Sequence, residues 1–267
     1  MITLSQVSKN YGNIEVLSDI NLTINKGEIY GLIGKNGAGK TTIFKIMLGL
    51  TSYNSGTLKI SNSNTKKDLQ EMRKKIGFFI GKNFFDYLNA EDNLHYYRLL
   101  KGIKNKQEVD RVLQLVGLKN VKVKYSAFSM GMKQRLGIAN ALLGNPEILI
   151  LDEPANGLDP QGIADIRNLI IELNKNENMT IIVSSHILAE LEHTANVFGI
   201  VHEGKVIKQI KRTDLQETSS TIEVSVNNLQ KTQDILERSD IPILKATTTY
   251  KSLEDYYFEL VGEENHV

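Results

Sequence analysis

Glu28-Ile29-Tyr30-Gly31-Leu32-Ile33-Gly34-Lys35-Asn36-Gly37-Ala38-Gly39-Lys40-Thr41-Thr42 is the stretch that decides the fold class. It opens with a short apolar run that reads as a buried strand, and residues 34–41 satisfy G-x-x-x-x-G-K-[ST]. Ile43, Phe44, Ile46, Met47 and Leu50 then recur at three- and four-residue spacing, which predicts a helix. Strand, glycine-rich turn and helix, in that order, is the context this motif requires. The glycines let successive backbone N–H groups turn inward on phosphate oxygens, and the helix aims its positive end at the same anion. Lys40 adds a point charge, and the Thr41 hydroxyl can ligate Mg²⁺. Gly34, Lys35, Asn36, Gly37, Ala38, Gly39, Lys40, Thr41 and Thr42 are therefore assigned to the phosphates of a nucleotide, with Thr41 also on the metal.

Outward from this stretch the pattern repeats. Ile148-Leu149-Ile150-Leu151 and Ile181-Ile182-Val183 are short apolar runs, each followed by polar residues and a helical pattern. Such alternation predicts an α/β fold with a mainly parallel sheet and helices on its faces. Ile20, Leu22 and Ile24 alternate with polar residues and predict a half-buried strand. The run 148–151 delivers Asp152 and Glu153 to the carboxyl end of its strand, where open parallel sheets bind ligands. Asp152 is placed to hold Mg²⁺, and Glu153 is the candidate general base for an attacking water.

Between about Asp86 and Ala141 the strand signal stops. Leu94, Tyr97 and Leu100 fit one helix, and Val109, Val112, Leu113 and Val116 fit a second that Gly117 ends. A helical insertion in the sheet domain is expected. Residues 213–267 carry a net charge of −7 against +8 for residues 1–212, and Ile222, Val224 and Val226 predict a strand there, followed by helix, strand and helix. The expected organisation is a main domain over 1–212, with a helical subdomain at about 84–141, and a small accessory α/β domain over 213–267.

Composition narrows the function classes. A chain of 267 residues, 41% hydrophobic and 24% charged, is globular rather than disordered. A net charge of +1 excludes a global polycationic footprint, and the acidic C-terminal segment argues against nucleic acid there. With no cysteine, disulfide frameworks, thiolate zinc sites and cysteine nucleophiles are excluded. No apolar run approaches the roughly 18 residues a bilayer span needs. Met1-Ile2-Thr3-Leu4-Ser5-Gln6 lacks the charged-then-apolar order of a secretory signal. A cytoplasmic protein, peripheral on the inner face of the cell membrane, is expected.

Phe128-Ser129-Met130-Gly131-Met132-Lys133-Gln134-Arg135 supplies the third motif. The order is phosphate loop, helical insertion, this segment, apolar strand with Asp152-Glu153-Pro154, Gly157-Leu158-Asp159-Pro160, and Ser184-Ser185-His186. In that order, residues 1–210 resemble the ATP-binding-cassette (ABC) ATPases. The resemblance implies a P-loop NTPase cassette with an N-terminal antiparallel β subdomain, binding ATP and Mg²⁺. It implies permease subunits in the membrane as partners, and a second cassette, identical or not, packed head to tail. Ser129 and Gly131 would then reach nucleotide held by the other cassette, and Asp159 would sit in the loop linking the two sites. His186 would contact the γ-phosphate, and Tyr11, before Gly12, would stack on adenine. Read as residues alone, Ser129 and Asp159 are also plain helix caps, Tyr11 is also a surface tyrosine at a strand end, and His186 is also a structural histidine.

One position departs from the family pattern. Where the family places Gln or Glu, after Ile76-Gly77-Phe78-Phe79-Ile80, this chain has Gly81, followed by Lys82 and Asn83. Either Asn83 substitutes or the loop works without that ligand, and slower hydrolysis or altered coupling is expected. Phe84, Phe85, Tyr87, Tyr96 and Tyr97 either meet a coupling helix of the permease or fill the subdomain core. Asn89-Ala90-Glu91-Asp92-Asn93-Leu94, the Ser129 motif and the run from Leu151 to Ile163 are similar to the exporter subgroup for peptide antibiotics, which includes bacitracin-resistance and lantibiotic self-immunity ATPases. Two other readings stay open: a non-transport single-cassette ATPase of the iron–sulfur assembly type, and a regulatory nucleotide-binding subunit with weak hydrolysis.

Overall fold

The computed structural model describes residues 1–61, 63–81, 84–216 and 229–238. In chain order the elements are β1 (Ile2–Tyr11), β2 (Ile14–Ile24), β3 (Ile29–Ile33), α1 (Lys40–Met47), β4 (Ser55–Ile60), α2 (Lys66–Arg73), β5 (Ile76–Phe79), α3 (Ala90–Leu100), α4 (Gln107–Leu115) and α5 (Met130–Leu142). There follow β6 (Ile148–Asp152), α6 (Pro160–Glu177), β7 (Thr180–Ser185), α7 (Leu188–Glu192), β8 (Val197–His202), β9 (Lys205–Lys211), α8 (Arg212–Gln216) and α9 (Leu229–Arg238). The chain divides into two units, Met1–Thr218 and Ser219–Val267, and α9 is the described part of the second. The strand expected at Ile222, Val224 and Val226 lies outside the described residues, as do Lys82 and Asn83.

Alternation builds the first sheet. β2-β1-β4 are antiparallel, with Ile2 opposite Ile24 and Ile60, and Leu4 opposite Leu22 and Leu58. All six side chains are buried, so period-two patterning gives this sheet one apolar face. The central sheet has the order β5-β6-β7-β3-β8-β9, parallel throughout except for β8 against β9. Its inner strands are apolar on both faces. Ile148, Ile150 and Ile182 join Tyr30 and Leu32 in a core shared with α1 and the antiparallel sheet. Leu149, Leu151, Ile181 and Val183 join the opposite core with α3, α4, α5 and α6. Each fully buried side chain of this size contributes about 1.5–3 kcal/mol, so the central strands are held from both sides.

The helical insertion spans α3, α4, a 3-10 turn at Tyr125–Ala127 and α5. α5 packs close to the sheet because Gly137 lies under Phe79, where a Cβ would come within 2.3 Å of the ring. Two helix-face expectations are corrected. α1 ends at Met47, since Gly49 takes φ +70° and Arg73 Nε donates to the Met47 carbonyl at 3.0 Å, leaving Leu50 58% exposed. Leu100, the last residue of α3, is exposed too, while Leu94 and Tyr97 face the core with Ala90 and Asn93. The aromatic group divides. Phe84 and Tyr97 pack against the helical core, with centroids 5.5 Å apart, whereas Tyr87 is 67% exposed and Tyr96 is exposed beside the half-buried Phe85. Among the described residues no helix is long and apolar enough to cross a membrane.

Candidate active site

Strand order sets the site. β7 lies between β6 and β3, pairing Asp152 with Ser184 and Ile33 with Ser185. The loop after β3 (residues 34–39), the Asp152–Glu153 pair and Ser185–His186 therefore emerge side by side at the carboxyl edge. Such an edge is where parallel sheets present ligand sites.

Within the loop, Gly37 and Gly39 take φ +83° and +109°, which side-chain-bearing residues avoid. At Gly34 a Cβ would fall 2.5 Å from the Val201 carbonyl oxygen, so only glycine lets the backbone pass there. α1 starts at Lys40 with no side-chain cap and no acid in its first turn. Its N-terminal amides and positive dipole end thus face an open cleft of about 260 Å³, lined by residues 36–42 with Val16 and Glu153.

The residues around this cleft are linked in one chain of contacts. Lys40 is 5% exposed, and its Nζ donates to the carbonyls of Gly34 (2.5 Å) and Lys35 (3.2 Å) and lies 3.3 Å from Glu153 Oε1. Thr41 Oγ1 donates to Asp152 Oδ2 at 2.6 Å. Ser184 Oγ donates to Asp152 Oδ1 at 2.7 Å and accepts the Glu153 N–H at 2.9 Å. His186 Nδ1 stands 3.0 Å from Glu153 Oε2. Glu153 itself takes φ +49°, a conformation that costs an L-residue about 1–2 kcal/mol. These contacts set a cation, a carboxylate and an imidazole around the mouth of an amide-lined anion cradle, which is the equipment for phosphoryl transfer to water.

A metal fits one part of it. Thr41 Oγ1 and Asp152 Oδ2 are two hard oxygens converging beside the cradle. Among the described residues no cluster of His, Asp and Glu could hold a metal by itself. That donor set suits Mg²⁺, which takes one or two protein oxygens and completes its shell with phosphate and water.

Ser129, Gly131 and Asp159 lie elsewhere, together. They line a groove of about 560 Å³ that shares no lining residue with the first cleft. Ser129 Oγ accepts the Met132 N–H at 3.2 Å, and Asp159 Oδ1 accepts the Gly162 N–H at 3.1 Å, so the capping roles are realised at α5 and α6. Both helices aim their N-termini into this groove, and neither has an acid in its first turn. The turn from Glu153 to Asp159 joins the two sites, with the Asn156 N–H on the Glu153 carbonyl at 3.2 Å and Gln134 Nε2 on the Asn156 carbonyl at 3.3 Å. Tyr11 is half exposed at the end of β1, with Lys9 Nζ 4.8 Å from its ring centroid, on the hairpin that also carries Val16. Gly81 is exposed at φ +77° beyond β5, at the same edge of the sheet as Asp152. Sequence reading passed over Ser184. Its available signal was a polar residue ending an otherwise apolar buried strand.

Comparison with known proteins covers most of the chain. The family model described as "ABC transporter" matches residues 17–156. The bacitracin transport ATP-binding protein BcrA of Bacillus licheniformis is 37% identical, over 98% of this chain and 97% of its own. The lantibiotic transport ATP-binding protein SrtF of Streptococcus pyogenes is 44% identical over 78% of this chain and 89% of its own. Among solved structures, a dimeric ATP-binding cassette in a post-hydrolysis state, bound to ADP and Pi, superposes with a TM-score of 0.70. It is 27% identical over 79% of this chain and 99% of the other.

Proposed function

The chain belongs to the ABC transporter family as an ATP-binding, ATP-hydrolysing subunit, and from that premise we propose that it powers export of a peptide antibiotic of the bacitracin or lantibiotic kind through separate membrane subunits. The observation that carries the cargo class is similarity to a bacitracin transport protein along 98% of the chain, including the segment beyond residue 212. The same similarity supports transport over an iron–sulfur assembly role.

In this reading residues 34–42 grip the triphosphate through main-chain amides, and Tyr11 stacks on the adenine. Lys40 neutralises the β- and γ-phosphates. Thr41 and Asp152 would hold Mg²⁺, which would supply further charge neutralisation to the phosphates. Glu153 takes a proton from water as the water oxygen bonds to the γ-phosphorus, and the bond to the β-phosphate oxygen breaks to release ADP. His186, 3.0 Å from Glu153, orients that carboxylate and meets the γ-phosphate. Ser129, Gly131 and Asp159 complete the equivalent pocket of a second cassette packed head to tail. ATP favours the closed pair and phosphate release opens it, which is the differential affinity a conformational motor needs.

The pair works peripherally on the cytoplasmic side of the membrane, where Phe85, Tyr87 and Tyr96 offer aromatic surface to a permease. Asn93 holds that surface in shape, accepting the Phe85 N–H at 2.8 Å and donating to the carbonyls of Phe85 (3.1 Å) and Asn89 (2.9 Å). Gly81, which offers no side chain to metal or water, favours a second reading as a regulatory subunit with weak hydrolysis.

The test expresses the chain with its cognate permease in a sensitive host. Lower susceptibility to bacitracin or a lantibiotic, lost in Glu153→Gln, supports export. Unchanged susceptibility to both, with the complex assembled in the membrane and hydrolysing ATP, refutes the cargo class. Purified-chain turnover that stays weak when the permease is added favours the regulatory reading.

A further inference from the structure

We propose that Ser184 is a positioning residue for the general base: its hydroxyl fixes Glu153 in the backbone conformation from which the carboxylate reaches Lys40 and His186. The proposal rests on the reading of Glu153 as base.

The geometry determines what the hydroxyl does. Ser184 is fully buried as the penultimate residue of β7 and lies opposite Asp152 in the parallel register. A serine hydroxyl has one proton to give and lone pairs to accept with. The Glu153 amide can only donate, so the bond at 2.9 Å uses a lone pair, and the serine's own proton goes to Asp152 Oδ1 at 2.7 Å. The orientation follows from partner chemistry alone. One hydroxyl therefore ties the candidate metal ligand to the backbone of the candidate base.

Glu153 needs such a tie. Its φ of +49° is left-handed, and an L-residue keeps that conformation only where its surroundings over-determine it. Here the N–H is held by Ser184 and the C=O by the Asn156 N–H at 3.2 Å. Loss of the first bond leaves a part-buried amide without its partner beside a strained torsion. Relaxation of that torsion swings the Cβ, and the carboxylate with it, away from Lys40 and His186. The neighbouring serine follows the same logic one residue on. Ser185 Oγ donates to Glu190 Oε2 at 2.7 Å and accepts the Ile187 N–H at 3.0 Å, bracketing His186.

The experiment uses the full chain with Mg-ATP. In Ser184→Ala, kcat is expected to fall about 10–100-fold with the KM for ATP within about threefold of wild type, the signature of an interaction expressed in the transition state. Ser184→Thr, which keeps the hydroxyl, should restore most of the rate, and Ser184→Cys should fall between. In a Glu153→Gln background, Ser184→Ala should lower the residual single-turnover rate less than about twofold, because the two residues act as a unit. A merely structural serine would instead subtract equally in both backgrounds, and that result overturns the proposal. So does wild-type kcat in a folded Ser184→Ala variant, or a Ser184→Thr variant as impaired as alanine. If the alanine variant fails to fold, Ser184→Cys is read in the same way: lower kcat at unchanged KM supports the proposal, and wild-type kcat overturns it. Glu153→Gln turning over at the wild-type rate removes the base assignment and this proposal with it. An inactive Glu153→Gln beside a fully active Ser184→Ala removes this proposal alone.

Discussion

Beside the phosphate loop, Thr41, Asp152, Ser184 and Glu153 are linked in one chain of contacts that ends on Lys40 and His186, whereas in the groove at Ser129 and Asp159 each side chain bonds an amide of the helix it opens. The first arrangement links a cation, two carboxylates and an imidazole within one chain. The second is a groove at two helix N-termini, one capped by a serine hydroxyl and the other by the Asp159 carboxylate, with Arg135 and Asp165 paired on its wall. On the proposed reading, the difference teaches where the chain supplies its own groups and where it depends on another molecule: the cleft brings its own amides and lysine to phosphate, while the groove acts only on nucleotide carried by a second cassette.

The sharpest way to break this contrast is at Glu153. Glu153→Gln keeps the cradle and removes the base, so hydrolysis should drop by about 10²–10⁴-fold with ATP affinity retained. Phosphate release and equilibrium binding measure the two parts. ATP should also hold the variant as a dimer on size exclusion. Hydrolysis near the wild-type rate would remove the base from this set of contacts.

A mixing experiment tests the groove. Lys40→Ala disables the cleft of its own chain, and Ser129→Glu places a negative charge where two helix ends converge. Each variant alone should lose about 100-fold in turnover, the scale of losing positioned anion donors. Mixed, they should recover about a quarter of wild-type activity, because half of randomly paired dimers are mixed and each holds one intact site. No recovery on mixing would place Ser129 outside the partner's pocket.

Tyr11 lies on the hairpin that brings Val16 to the cleft. Tyr11→Ala should raise the KM for ATP by about fivefold or more with kcat unchanged, since aromatic stacking on a base contributes about 1–3 kcal/mol. Titration with ATP and with inorganic triphosphate separates the effects: triphosphate binding should not change.

What the sequence revealed follows from range. The phosphate loop and the Asp152–Glu153 pair were legible because their chemistry is written in consecutive residues on predictable strand ends. The parallel sheet was legible because Ile148–Leu151 and Ile181–Val183 are apolar at every position, which only strands covered on both faces tolerate. Ser184 was not legible, because its role depends on β6–β7 register pairing it with Asp152. The meeting of Ser129 and Asp159 in one groove depends likewise on how α5 packs against α6. Leu50 was misjudged because spacing continues past Gly49, where the backbone cannot continue as helix. The aromatic group offered both readings, and only packing could send Phe84 and Tyr97 inward and leave Tyr87 outside.

Gly81 tests the contrast most finely, since it follows β5 at the same edge of the sheet as Asp152 and yet contributes no side chain to the contacts there. Among the described residues, a Cβ there would meet no atom within 4 Å, which leaves room for a longer side chain. The backbone is less permissive, because φ +77° strains an L-residue by about 1 kcal/mol. Gly81→Gln should therefore melt about 2–4 °C lower, as expected for a chain of this size. Gly81→Asn should melt closer to wild type, since asparagine tolerates the left-handed region better. If the cleft lacks an oxygen ligand here, turnover in Gly81→Gln should rise by about threefold, a barrier change under about 1 kcal/mol. ATP affinity should hold, because the amide cradle is untouched. A lower melting temperature with unchanged turnover and unchanged transport would mean that the set of contacts from Thr41 to His186 is complete without this position, and that the glycine is retained for its backbone alone.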